Sequence, residues 1–308
     1  MSKRIIITAA VTGGIHTPSM SPYLPISVEE IIEDAVKAYE SGAAVVHIHA
    51  REPDTGKPSS DMSIMKQIIT GIKKRCNVVI CITTGGGLGM SLEERIAPVS
   101  LFKPEIASCN AGSINFVLAP AGEKISNPKF EWEKPYLENT KDFVFSNTYK
   151  GLEYYITTMN ENGSCPEFEV YDLGMINNVA YFLQKGVVKK PIYIQFVMGI
   201  LGGIPATVEN LAHLVKTAKN ILGSDINWSC CAAGRYQFPL TAAALAMGGN
   251  ARVGLEDNLY LRPGVLAKSS AEQVTQIIEI SQRLGLETAT PDEARNILGL
   301  KGIAQVAY

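Results

Sequence analysis

Ala44-Val45-Val46-His47-Ile48-His49-Ala50 is an apolar, partly β-branched run interrupted only by two imidazoles. Side chains of a strand alternate between its faces, so His47 and His49 share one face while Val46, Ile48 and Ala50 share the other. A strand that is apolar for most of its length and polar at its C-terminal tip suits a parallel sheet covered by helices. Runs of the same kind recur on both sides of it, at Ile5–Val11, Val78–Thr84, Glu105–Asn110, Glu167–Leu173, Ile192–Val197, Ile226–Ala232 and Ala251–Glu256. Helical patterns follow most of them: Val28–Ser41, Asp61–Arg75, Asn147–Asn162, Asn177–Lys185, Thr207–Leu222, Pro239–Gly248 and Ala271–Leu284. This alternation is the signature of βα units. Eight of them predict an α/β chain folded as a closed (β/α)8 TIM barrel in preference to an open, doubly wound sheet.

No low-complexity linker divides the 308 residues, so the expectation is one domain spanning 1–308. Pro120, Pro128 and Pro135, with Trp132, mark 117–145 as a long excursion after the fourth strand. Residues 285–308 are expected to form a C-terminal helical extension, with Thr290-Pro291-Asp292-Glu293 opening a short helix that reaches a neighbouring subunit. Lys3-Arg4 before Ile5–Val11 resembles the start of a signal peptide. The apolar run is short, β-branched and broken by Gly13-Gly14, so it reads as the first strand.

The composition narrows the function. Lys and Arg total 28 against 30 Asp and Glu, so no charge excess recommends a nucleic acid or an anionic membrane as partner. No apolar run approaches the roughly 20 residues of a bilayer span. Charged residues make up 19%, below the roughly 25% usual for soluble proteins, which points to surface covered by other subunits. The six cysteines carry no CxxC pair or metal-finger spacing and read as buried thiols of a reducing cytoplasm.

A barrel of this kind keeps its chemistry at the C-terminal ends of its strands. Two imidazoles on one face of the second run can supply nitrogens to one cation, or can be a pair of hydrogen-bonded core histidines; half of the chain's four histidines at one strand end favours the cation. In Arg252-Val253-Gly254-Leu255-Glu256-Asp257 the same alternation turns Arg252, Gly254 and Glu256 inward. A buried Arg and Glu must answer to each other, to a metal or to a ligand. The last strand of a barrel closes on the first, beside the second, so Glu256 is expected within reach of His47 and His49. Two histidines and one carboxylate leave coordination positions open, as catalytic metal sites do. Thr83-Thr84-Gly85-Gly86-Gly87 and Ser108-Cys109-Asn110-Ala111-Gly112-Ser113 end the third and fourth runs with hydroxyls and backbone N–H groups suited to a carboxylate or phosphate, or are simply turns. Gly199-Ile200-Leu201-Gly202-Gly203-Ile204-Pro205 adds a glycine loop before a helix, suited to phosphate but without the Lys-Ser/Thr of a P-loop.

Thr12-Gly13, His47-Ile48-His49-Ala50-Arg51, Thr83-Thr84-Gly85-Gly86, Asn110 to Phe116, Gly199 to Gly203 and Arg252 to Asn258 together resemble the β-keto acid cleavage enzymes, over nearly the whole chain. The resemblance implies a zinc-dependent TIM-barrel acyltransferase, commonly a homotetramer. Such an enzyme combines a β-keto acid with acetyl-CoA to yield acetoacetate and a new acyl-CoA. It further implies that His47, His49 and Glu256 ligate Zn2+, that Asp257 is the general base and that Arg252 supports it. Thr83, with Thr84, Gly85, Gly86, Ser108 and Asn110 around it, would hold the substrate. Thr83 stands where relatives often carry a serine.

Two departures qualify that picture. Relatives that cleave the amino-bearing substrate tend to have an acidic residue shortly after the Thr-Gly of strand one, where this chain reads Gly13-Gly14-Ile15-His16. A substrate ammonium then lacks its obvious partner, so a neutral or anionic β-keto acid is expected. His16 is read either as a contact for a polar tail or as an exposed loop residue. Ser146 stands where some relatives carry an acid. A metal-dependent aldolase or hydrolase acting without CoA is the alternative reading. Non-haem iron oxygenases share the ligand set but sit on other folds.

Overall fold

The computed structural model describes residues 4–85 and 89–308. Each expected run forms one strand of a closed, parallel barrel: β1 (Ile7–Ala10), β2 (Val45–Ile48), β3 (Val79–Ile82), β4 (Ile106–Asn110), β5 (Cys165–Val170), β6 (Tyr193–Met198), β7 (Asn227–Ala232) and β8 (Asn250–Val253). β8 pairs with β1 through Arg252 opposite Thr8, and β1 pairs with β2 through Ala10 opposite His47. Closure therefore brings the tip of β8 within one strand of the two histidines.

Around the barrel run α1 (Val28–Glu40), α2 (Met62–Arg75), α3 (Leu92–Phe102), α4 (Tyr149–Glu161), α5 (Leu173–Gln184), α6 (Val208–Leu222), α7 (Gln237–Ala246) and α8 (Ser270–Arg283). α1 shows why such segments are helical. Ser27 and Glu30 form a capping box at its start, and Ile31, Ile32, Ala35, Val36 and Ala38 fall on its buried face. Each such Ile or Val contributes about 1.5–3 kcal/mol by leaving water. They meet Val46 and Ile48, the outward side chains of β2, and Ala50 two residues beyond it. α3 had no clear sequence pattern because Pro98 interrupts it; a second capping box, Ser91 with Glu94, starts it nonetheless.

The excursion after β4 is a lid on the C-terminal mouth. It contains short helices at Ala119–Gly122 and Glu133–Glu138 and closes where Ile114–Asn115 pairs antiparallel with Val144–Phe145. The Glu133 carboxylate anchors it, accepting from the Ser19 backbone N–H at 2.9 Å and from Ser19 Oγ at 2.8 Å. Tyr136 Oη donates to the Gly14 carbonyl at 2.9 Å.

Residues 285–308 form the expected helical extension, α9 (Pro291–Leu298) with Thr290 as N-cap, and it packs on its own barrel. Thr288 bridges Ile5, and Ala294 and Leu298 join Ile6, Val45, Val79 and Tyr193 at the N-terminal end of the barrel interior. Arg295 meets the buried Glu105 carboxylate twice, at 2.8 and 3.0 Å. The open end of a barrel exposes apolar side chains, and this segment covers them. Among the described residues, no helix is long and apolar enough to cross a membrane.

Candidate active site

His47 Nε2 and His49 Nε2 lie 3.2 Å apart, and Glu256 Oε1 stands 3.7 Å from the first and 3.4 Å from the second. Strand alternation delivers the imidazoles, His47 within β2 and His49 just beyond it. Glu256 arrives through a turn after β8, which ends earlier than the expected Ala251–Glu256. Gly254 makes that turn: its φ is +147°, and a Cβ there would fall 2.0 Å from the Ala10 carbonyl oxygen. The group that approaches Gly254 is thus the β1 backbone, and the Glu256 N–H donates to Ala10 at 3.1 Å. Gly13, at φ +59°, is equally close to the Glu256 side chain.

Arg252 sits behind this triad with every N–H direction engaged. It holds Asp257 through Nε at 2.8 Å and Nη2 at 2.9 Å, and Glu256 through Nη2 at 2.7 Å. Nη1 reaches Gln195 Oε1 at 3.0 Å and Glu169 Oε1 at 3.4 Å. The charges shift one another accordingly. Burial opposes the Glu256 carboxylate, yet Arg252 and the imidazoles hold it well below the ordinary carboxylate range. Burial and the Glu256 charge push Asp257 up to about 6 against the pull of Arg252. Burial keeps the His47 imidazole well below the usual histidine range and therefore neutral.

These residues form the floor of a cavity of ≈ 430 Å³, a volume suited to a small-molecule ligand. Thr83, Gly85 and Asn110 line it, and among the described residues both polar side-chain atoms of Asn110 are buried without a partner. Thr84 and Ser108 stand behind the wall: Thr84 Oγ1 donates to the Ser108 carbonyl at 2.6 Å and the Thr84 N–H to Ser108 Oγ at 3.1 Å. The Gly85 N–H is taken by Thr83 Oγ1. Gly86 lies outside the described residues. Gly199, Ile200 and Leu201 of the glycine loop after β6 also line the cavity. The Gly199 and Gly203 N–H groups bond within the loop, and Leu201 accepts from Val117 of the lid.

His16 lines the cavity and is partly buried, so it is not an exposed loop residue. Its Nδ1 is 2.8 Å from the Leu255 carbonyl, and burial depresses it to about 4. Arg51 secures this loop, donating from Nη2 to the carbonyls of Thr12 at 2.9 Å and His16 at 2.8 Å. Glu169 and Gln195 were not singled out from sequence, although Glu167-Phe168-Glu169 shows the same alternation as His47-Ile48-His49; Arg51 appeared there only as part of a motif, with no role.

The donor set fits a divalent cation. Ligands roughly 2.0–2.1 Å from a tetrahedral ion are about 3.3 Å apart, close to the spacing of the two imidazole nitrogens and the carboxylate. Glu256 Oε2 is also buried without a hydrogen-bond partner. A buried carboxylate oxygen left so is costly unless something positive meets it.

Known proteins share this architecture. The 3,5-dioxohexanoate:acetyl-CoA acetone transferase of Paraburkholderia graminis is 47% identical over 99% of this chain and 99% of its own. The 3-keto-5-aminohexanoate cleavage enzyme of Acetoanaerobium sticklandii is 38% identical over 97% of this chain and 99% of its own. The solved complex of ObcA with oxaloacetate shares the fold, with a TM-score of 0.73 at 21% identity over 92% of this chain and 68% of that one. A family model described as beta-keto acid cleavage enzyme matches residues 4–300, and this chain belongs to that family.

Proposed function

We propose that this chain condenses a β-keto acid with acetyl-CoA, producing acetoacetate and a new acyl-CoA, with a Zn2+ ion held by His47, His49 and Glu256. The observation that carries the reading is the triad beside Asp257, with Arg252 gripping both acids on the floor of one cavity. The 47% identical relative is named for a keto-acid:acetyl-CoA transfer, as is the 3-oxoadipate:acetyl-CoA acetyltransferase of Cupriavidus necator at 32% identity.

A bound cation supplies Lewis-acid stabilisation of the negative charge that develops on the keto and carboxylate oxygens. The chain's own residues do the rest. Asp257 takes the C2 proton, and Arg252 fixes the orientation of that carboxylate. Thr83 and Asn110 hold the substrate carboxylate, and Thr84 and Ser108 brace them from behind. The resulting enolate attacks the acetyl carbonyl of acetyl-CoA and expels the CoA thiolate. The thiolate then adds to the original keto carbon, the C2–C3 bond breaks, and Asp257 returns its proton to the departing acetoacetate carbanion.

The cavity favours a neutral or anionic acyl chain. Among the described residues its lining carboxylates are Glu169, Glu256 and Asp257, and each is paired with Arg252. An ammonium on the substrate tail would find no free partner. The protein acts as one domain over residues 1–308, in the cytoplasm, where its six cysteines stay free. A homotetramer accounts for its low charge content.

The test is formation of acetoacetate and acyl-CoA from a panel of β-keto acids, with and without acetyl-CoA, on zinc-loaded protein and on Glu256→Ala. Products that require acetyl-CoA and vanish in the variant support the reading. Turnover without acetyl-CoA favours an aldolase or hydrolase instead.

A further inference from the structure

Beneath the triad, a second set of buried side chains is used by none of the chemistry above. His47 turns its other ring nitrogen, Nδ1, to Cys81 Sγ at 3.4 Å, its partner in register on β3. Cys81 Sγ is 3.6 Å from Glu167 Oε2. Glu167 Oε1 accepts from Gln195 Nε2 at 3.1 Å, and Gln195 Oε1 accepts from Arg252 Nη1 at 3.0 Å. Arg252 bonds Glu256, which faces His47 again. The circuit crosses the barrel interior and closes on itself.

Its polarity is fixed from one end. A guanidinium has only donors, so Gln195 must present its oxygen to Arg252 and its amide N–H to Glu167. Burial pushes the Glu167 carboxyl up to about 7; above that pH it is a carboxylate, which only accepts, so the Cys81 thiol must donate to it. The sulfur is then left as acceptor, and His47 Nδ1 must carry the proton. Nε2 keeps its lone pair, pointing toward His49 and Glu256.

We propose that Gln195, Glu167 and Cys81 are positioning residues that transmit the donor-only character of Arg252 to His47 and lock its imidazole in the Nδ1–H tautomer, the one able to offer Nε2 to a metal ion. Outer hydrogen bonds to a ligating histidine orient its ring and raise its basicity. Here the outer partner is a thiol, and the residue that fixes the tautomer also holds the general base. The metal-binding part of the inference rests on the proposed metal site; the tautomer does not.

The first readout needs no metal. With four histidines in the chain, the imidazole nitrogens of 15N-histidine-labelled protein are assignable by NMR. At about pH 8, where Glu167 is ionised, His47 is expected as Nδ1–H in the wild type and in Cys81→Ser, which keeps a donor and an acceptor, and as a tautomer mixture in Cys81→Ala. Nε2–H in the wild type overturns the proposal. The second readout is the Zn2+ dissociation constant by chelator competition. Cys81→Ala and the near-isosteric Glu167→Gln should weaken binding by roughly 10–100-fold, with Cys81→Ser close to wild type. Glu167→Gln carries this arm if Cys81→Ala fails to fold. Wild-type affinity in both variants, with binding lost in His49→Ala, overturns the relay alone. Absence of zinc uptake by the wild type itself would instead sink the metal reading.

Discussion

Arg252 grips Asp257 with two parallel hydrogen bonds, Nε to Oδ2 at 2.8 Å and Nη2 to Oδ1 at 2.9 Å, five residues along the same chain. A carboxylate held at both oxygens cannot rotate away from the cavity floor. Asp257→Asn keeps the shape and removes the base. It should lower kcat by about 10²–10⁴ while zinc uptake, measured by equilibrium dialysis, stays at the wild-type level. An unchanged kcat would remove Asp257 from the reaction.

Gly13→Ala tests how tightly the loop after β1 frames Glu256, the proposed metal ligand. The added Cβ would lie 2.2 Å from Glu256 Cγ, at a φ of +59°. The backbone strain costs about 1–2 kcal/mol, and Glu256 must shift to make room. Zinc affinity should therefore fall by more than the loss of thermal stability accounts for, which titration beside a melting curve would reveal.

Ile15 lines the cavity at the departure from the amino-cleaving relatives. Ile15→Glu places a carboxylate there for a substrate ammonium. The expected outcome is a gain in kcat/KM for 3-keto-5-aminohexanoate relative to uncharged β-keto acids of similar length. A wild type that already prefers the amino compound would refute the assignment of a neutral or anionic acyl chain.

Asp34 is buried and accepts from the Ser270 N–H at 2.9 Å; burial raises it from 3.8 to about 6. Between those two values the folded chain holds a proton that the unfolded chain has released, so stability contributed by this site falls as pH rises from 4 through 6. The penalty at neutral pH is of order 3 kcal/mol at most. Asp34→Asn retains an acceptor and removes the penalty. Its melting temperature should exceed the wild type's at pH 8 and match it at pH 4; an equal difference at both would show that Asp34 does not titrate in this range.

Much of this was legible beforehand because barrel strands are buried on both faces. Most of the eight runs are apolar and all are short, and period-two alternation within His47-Ile48-His49 and Arg252-Val253-Gly254 tells inside from outside without reference to any partner. The same reasoning failed at α3, where Pro98 breaks the periodicity while the capping box and packing still form the helix. It also left the tail's packing on its own barrel unseen. Thr290-Pro291 announces a helix, yet nothing local says which surface that helix covers. Thr84, Ser108 and the loop after β6 carry donors fit for a ligand, and whether those donors face it depends on neighbouring chain: Thr84 and Ser108 satisfy each other, and the loop after β6 bonds within itself and to the lid.

Local chemistry along the chain thus determined the strands, the inward faces and the identity of the triad's donors, because alternation and burial are properties of a few consecutive residues. Only the tertiary structure decided that Cys81, Glu167 and Gln195 join β3, β5 and β6 into one circuit with Arg252, and that the tail covers its own barrel. Those contacts join residues far apart in sequence, and the closure of β8 on β1 with the register of each strand pair sets which side chains meet.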